Sequence, residues 1–363
     1  MIRFFVGTTL YLFSFVALAV QVGGLYSASI EVLDQSQSAR NEALEEAFSI
    51  VLQKVSGREN SEDKAGLALK SAEISAYVEQ FQYQKMEEPA SGYLLVINFQ
   101  KEALNLLMQQ VGVPIWGSER PEVLVWLAVK GDGGRYILKA DSNNRADQVK
   151  QAAADKGLAI TLPLLDLEDQ RALSFNDIWG GFSDAIVNAS ARYDAKQIMF
   201  GRIEKVSGNN WSLKWTLVNP MGEFGGDEKQ LSLNLVAGKS FTGLAEHLAG
   251  IYAPSGQEFK SHLQLMVTGV ETLPDFIRLT RYLSSLDKVK SVNWEHVEAG
   301  KVTLSLSFTG DVAVLKKVIA LNHVLIPVEG SASPALRVEE LLVVPNGPLE
   351  SLETEKMAFY RLD

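Results

Sequence analysis

Apolar residues recur at every fourth position in QSARNEALEEAFSIVLQKVSG: Ala39, Ala43, Ala47, Val51 and Val55, with Leu44, Phe48 and Leu52 beside them. That spacing winds one apolar face onto a helix, and Gly57 is its natural stop. Ser38 is expected to cap the start, with Asn41 and Glu42 in the first turn. A strand is predicted before it, from Ser29 to Leu33, and a second helix after it, from Lys64 to Ser71. Strands VEQFQYQKM and GYLLVINFQ follow, joined through Glu87, Pro89 and Gly92, and KEALNLLMQQVG reads as a short closing helix. The order β-α-α-β-β-α predicts a small α+β domain over residues 30–113.

The pattern then breaks in VPIWGSERP, where two prolines, a glycine and charges mark a boundary. EVLVWLAVKG beyond it is almost continuously apolar, as a strand buried on both faces should be. GDGG at 131–134 lacks the lysine and hydroxyl residue of a phosphate loop, so a hairpin turn is expected. A helix from Arg145 to Lys156, the strand LAITLP, a helix opening at Asp166 and a long helix DIWGGFSDAIVNASARYDA come next. KQIMFGRIEKV, NWSLKWTLVN and GDEKQLSLNLV read as strands, the last two by clean alternation, and Phe241 to Tyr252 as a closing helix. Together these predict a middle α/β domain over 121–253, ended by APSGQ at 253–257. HLQLMVTGV, LPDFIRLTRYLSSLD, KSVNWEHVE, KVTLSLSF, DVAVLKKVIAL and VLIPVE spell βαββαβ, a ferredoxin-like domain over 258–330. Residues 331–363 are expected to form a tail, with one apolar run, ALRVEELLVVP, and a charged, mobile end. The fold class is therefore α+β, in three small domains.

The first 29 residues stand apart. Arg3 is their one charge, Phe4 to Val20 is unbroken apolar sequence, and Gly23, Gly24 and the small residues Ser27, Ala28 and Ser29 follow. This is the layout of a secretory leader, cleaved after Ser29. The apolar stretch is also close to bilayer length, so an uncleaved inner-membrane anchor is the alternative. Either way the remaining chain is expected to be soluble and periplasmic.

Composition narrows the function. With 34 basic against 44 acidic residues the net charge is -10, and no basic cluster offers itself to nucleic acid. An anionic membrane surface is disfavoured for the same reason, which leaves the N-terminal segment as the only expected membrane contact. Cysteine is absent, which excludes disulfides, thiolate nucleophiles, cysteine metal sites and lipoprotein acylation. The four histidines, His247, His262, His296 and His323, show no pair at ligand spacing. Asp166, Glu168 and Asp169 crowd one short stretch, but carboxylates at the first turn of a helix cap free N–H groups. No G-x-S-x-G elbow occurs, so no catalytic residue, cofactor or metal is implied.

Trp116 and Arg120 are the candidate interaction residues, a large aromatic and an arginine in a linker. The competing reading is that they pack one domain on the next. Trp126, inside the apolar strand, is expected in the core, and Gly180 and Gly181 are expected to let a helix approach the sheet closely. Arg278 and Arg281 read as solvated surface.

The leader, DQSQSARNEALEEAFSIVLQKVSG, VPIWGSERPEVLVWLAV and RYDAKQIMFGRI together resemble the uncharacterised exported proteins of Gram-negative bacteria grouped as domain of unknown function 2066. The junction, with Trp116, Arg120, Pro121 and Trp126, is the most specific part of that likeness. The resemblance implies export and supplies no activity, substrate or catalytic residue. More loosely, the first two domains are similar to periplasmic building blocks of flagellar and curli assembly proteins and of TolB, which bind other envelope proteins. The expected function is thus a non-enzymatic adaptor or assembly factor of the cell envelope, with other envelope proteins as partners. The alternatives are an envelope hydrolase using Asp166 and Glu168 as acid and base, and a small-ligand-binding periplasmic protein.

Overall fold

Strand β1 (Ser27–Val32) turns its alternate residues Ala28, Ile30 and Val32 inward, and the apolar face of helix α1 (Gln37–Ser56) covers them. The structure, a computed structural model, describes residues 22–59, 61, 71–86, 91–131, 133–141, 144–208, 210–253, 260–328 and 357–363. The apolar stretch through residue 21, most of the helix expected from Lys64, residues 254–257 of the second boundary and the run ALRVEELLVVP lie outside them. The described residues form a mixed α+β fold on three sheets.

In the first sheet, β3 (Tyr93–Phe99) lies between β1 and β2 (Val78–Lys85), antiparallel to both. A short α2 (Ser71–Ile74) precedes β2, and α3 (Lys101–Gln110) follows β3. Ser36, not Ser38, caps α1 by accepting the Ala39 N–H, and Gly57 stops it at φ 68°. The cleavage point expected after Ser29 falls inside β1. Ser27, Ala28 and Ser29 are paired with Asn98, Ile97 and Val96, and Leu25 is buried beneath them.

The second sheet has the order β5-β4-β7-β8-β9, with β6 beside β4. Its strands are β4 (Glu122–Gly131), β5 (Gly134–Ile137), β6 (Ala159–Thr161), β7 (Gln197–Ser207), β8 (Asn210–Asn219) and β9 (Gly222–Gln230). β6, β4 and β7 run parallel, and β5 folds back on β4 as the expected hairpin. Both faces of β4 are covered, which explains its unbroken apolar sequence. Val123, Val125, Leu127 and Val129 meet α4 (Asn144–Ala154) and α8 (Leu233–Tyr252), while Leu124, Trp126 and Ala128 meet α6 (Phe175–Gly180) and α7 (Ser183–Ser190).

Two elements differ from expectation for local reasons. The long helix over Gly180 and Gly181 is two helices, because Gly181 sits at φ 73° and terminates α6. The glycine there serves a turn, not a close helix–sheet contact. The alternation in LSLNLV belongs to a helix: Ser232 caps α8 by accepting the Leu235 N–H, and Leu233, Val236, Ala237, Phe241 and Leu244 form its buried stripe.

The third sheet has the order β11-β12-β10-β14-β13. Its strands are β10 (Lys260–Val270), β11 (Val289–Glu298), β12 (Gly300–Thr309), β13 (Leu325–Pro327) and β14 (Met357–Leu362). Helices α9 (Leu273–Ser285) and α10 (Val312–Ile319) join its core through Leu279, Leu283, Leu315 and Ile319. The end of the chain is not a mobile tail. Ala358, Tyr360 and Leu362 alternate into the core, and β14 pairs parallel with β10. It therefore occupies the place beside β10 where a ferredoxin-like order would put β13. The apolar core beneath the middle sheet continues, through α8 and α10, into that of the third sheet.

Candidate functional site

The segment Trp116 to Arg120 is where the three sheets meet. The Trp116 N–H donates to the Val55 carbonyl at 2.8 Å, and its ring fills the space a Cβ on Gly57 would need. Gly57 is thus required twice, by its left-handed turn and by this contact. The Arg120 guanidinium lies over the Trp116 indole at 4.1 Å. It donates to four carbonyls: Gly117 at 3.0 Å, Gly157 at 2.8 Å, Lys54 at 2.6 Å and Trp116 at 2.8 Å. No carboxylate is among those partners, and burial pushes this guanidinium down to about 9, still charged at neutral pH. On the other side, Asp287 of the third unit accepts from the Ser118 N–H and hydroxyl at 2.7 and 3.0 Å and pairs with Lys101 at 2.7 Å. Glu119, buried beside Asp287, is pushed up by desolvation and by that neighbouring charge. The candidate interaction residues Trp116 and Arg120 are each 2 % exposed. They join parts of this chain and present no surface to another.

Beside the junction lies a cleft of about 440 Å³. One wall is the middle unit: the start of β4 from Arg120, the start of β7 with Gln197, and Tyr252 at the end of α8. The other is the end of α10 with Lys317, Ala320 and His323. Asp194 (φ 50°) and His323 (φ 52°), both left-handed, face each other across it, carboxylate to imidazole at 3.6 Å. Lys196 reaches over to the Ala320 carbonyl at 3.5 Å. Gln197 is 3 % exposed; its amide nitrogen donates to the Tyr252 hydroxyl at 3.3 Å, and its amide oxygen has no partner. Exchanging the two ends of the amide only moves the unpartnered atom to the nitrogen. The cleft sits at the amino ends of the parallel strands β4 and β7, the end opposite that at which open α/β sheets usually bind ligands. At the carboxyl ends, Lys130 pairs with Glu204 at 2.5 Å and lies over the Trp179 ring.

The carboxylates of LPLLDLEDQ take separate roles. Asp166 caps α5 (Leu167–Ala172), accepting the N–H groups of Glu168 and Asp169, and Arg192 grips both its oxygens at 2.7 and 2.9 Å. That guanidinium holds its carboxyl far below the usual range, which makes it a poor proton donor. Asp169 is not a cap. It is fully buried, accepting from Arg192 at 3.0 Å, the Tyr193 hydroxyl at 2.6 Å and the Leu165 N–H at 2.8 Å. Burial and the bond to Asp169 push the Tyr193 phenol up to about 12. Glu168, the other carboxylate of the hydrolase alternative, is 70 % exposed and lies 3.5 Å from the same guanidinium.

The histidines stay apart: His247 stacks on Phe224, His262 bonds Ser307, His296 pairs with Glu298, and His323 faces Asp194. Among the described residues no three histidine, cysteine, aspartate or glutamate side chains are grouped to hold a metal ion, and no helix is long and apolar enough to cross a membrane. The sequence reading missed Gln197, Tyr252 and Lys317. A glutamine at the head of the buried strand QIMFG was the one local signal, since such a side chain needs partners that strand pairing does not supply.

Residues 19–117 match a family described as a domain of unknown function, DUF8605. The matched span takes in the whole first sheet and ends inside the junction, at Gly117. It corrects the resemblance to domain of unknown function 2066: the family that matches is a different uncharacterised one. No curated protein matches the chain.

Proposed function

We propose that this chain is a non-enzymatic binding protein that holds a small ligand in the cleft beside its junction. The observation that carries this reading is the Gln197 amide, buried at 3 % exposure in the cleft lining with one end unpartnered. An orphaned amide of this kind costs about 1–3 kcal/mol, which a ligand bond would recover once the side chain turned from its buried position into the cleft. The volume of about 440 Å³ suits a small organic molecule, and the walls come from two units, where such sites concentrate.

Export to the periplasm belongs to the same proposal, supported by Arg3 followed by the apolar run Phe4 to Val20. So does division into three domains, the last a ferredoxin-like set widened by β14. The succession β10-α9-β11-β12-α10-β13 supports it. A second reading, the envelope adaptor, is favoured by the edge strand β11, whose Trp294 and Val297 are 67 % and 56 % exposed.

Fluorescence of the neutral probe N-phenyl-1-naphthylamine tests the cleft. We expect enhancement at one site per chain, lost in Ala320→Trp and in Ala195→Trp at unchanged thermal unfolding. No enhancement, or enhancement that survives both variants, removes the ligand-binding reading. Crosslinking to an envelope protein, abolished by Trp294→Ser, would then support the adaptor.

A further inference from the structure

The charges around the cleft are unlike those of the chain as a whole. The protein carries a net charge of -10, yet three cations line this one cavity: Arg120, Lys196 and Lys317. Two acids, Glu122 bonded by the Thr161 hydroxyl and Asp194 facing His323 at 3.6 Å, leave the lining with one cation in excess. None of the three cations has a carboxylate partner among the described residues: Arg120 bonds only carbonyls and Lys196 the Ala320 carbonyl at 3.5 Å. A buried guanidinium without a bonded counter-ion raises the potential of the space next to it, because the surrounding protein screens it weakly. The remaining lining is largely apolar, with Leu124, Met221 and Leu321.

We propose that the cleft selects an organic anion: a carboxylate head held by Lys196 and Lys317, on an apolar body. The head lies at the side of the cleft that Lys196 and Lys317 line from different units. Binding would therefore bridge the middle unit, through Lys196, and the third, through Lys317. This rests on the ligand-binding reading above and adds the sign and chemical class of the ligand.

Calorimetric titration of the full chain with octanoate and with octanamide separates the two claims. The pair shares one apolar body and differs in charge. Octanoate should bind at one site and octanamide about tenfold more weakly, the scale of one charge-assisted contact. Lys317→Met and Lys196→Met should each weaken octanoate about five- to tenfold, on the same scale, and leave octanamide unchanged. Both variants keep a long unbranched side chain at an exposed position, so folding is retained, and thermal unfolding checks it. Equal affinity for the two probes, or octanoate binding indifferent to both lysines, overturns the proposal. In that event the neutral naphthylamine still binds if the cleft is a ligand site. Failure of all three probes overturns both readings together.

Discussion

Asp166 and Asp169 stand three positions apart and look interchangeable in sequence, yet burial separates them. Asp166 is exposed, and asparagine caps as well as aspartate, so Asp166→Asn should change stability little. Asp169 is fully buried among a guanidinium, a phenol and an amide N–H. An amide there replaces an acceptor by a donor facing donors, and Asp169→Asn should cost about 2–4 kcal/mol. Urea unfolding of the two variants checks the contrast; equal losses would mean that Asp169 is only a second cap. At this scale the sequence was half legible. The Asp166 cap follows from local backbone geometry, whereas the role of Asp169 depends on Arg192 and Tyr193, which lie more than twenty residues further along the chain.

Among the elements, β1 carries the sharpest consequence. Its first three residues are paired to β3, Leu25 before it is buried, and Tyr26 bonds Asn105 at 2.8 Å. A chain beginning at Ile30 should lose about 3 kcal/mol or more relative to one beginning at Val22, on the scale of one buried leucine plus the lost pairing. Thermal unfolding of the two chains decides it. Equal stability would restore Ser29 as an acceptable cleavage point. Element identity was mostly readable where one period persisted, as in α1, β4 and β12. It failed where the signal was short or double: LSLNLV fits a strand by alternation and a helix by its cap. β14 was missed because six residues of alternating burial, MAFYRL, carry little signal without the strands that flank them.

For the molecule as a whole, Arg120 is the joint. Its guanidinium ties Lys54 of the first unit to Gly157 of the second, and neighbouring Ser118 ties both to Asp287 of the third. Arg120→Met would keep the packing on Trp116 and leave four carbonyls without their donor. We expect a loss of about 3–5 kcal/mol, the scale for removing a buried hydrogen-bonded charge. Amide exchange should quicken at the end of α1 and around Gly157 together; a change confined to one of them would show that the joint is not shared.

The sequence by itself determined the local grammar of this protein: the helix faces, the caps at Gly57 and Asp166, the strand buried on both sides and the break at VPIWGSERP. These depend on residues within a few positions of one another, where steric and hydrogen-bond preferences act directly. It also marked Trp116 and Arg120 as unusual, without telling inside from outside. Only the tertiary structure decided that both are buried, that the final strand slips between β10 and β13, and that Gln197, Tyr252 and Lys317 line one cleft. Those outcomes turn on contacts between segments more than thirty residues apart, where the energy of burial depends on which surfaces meet and no spacing along the chain records the meeting.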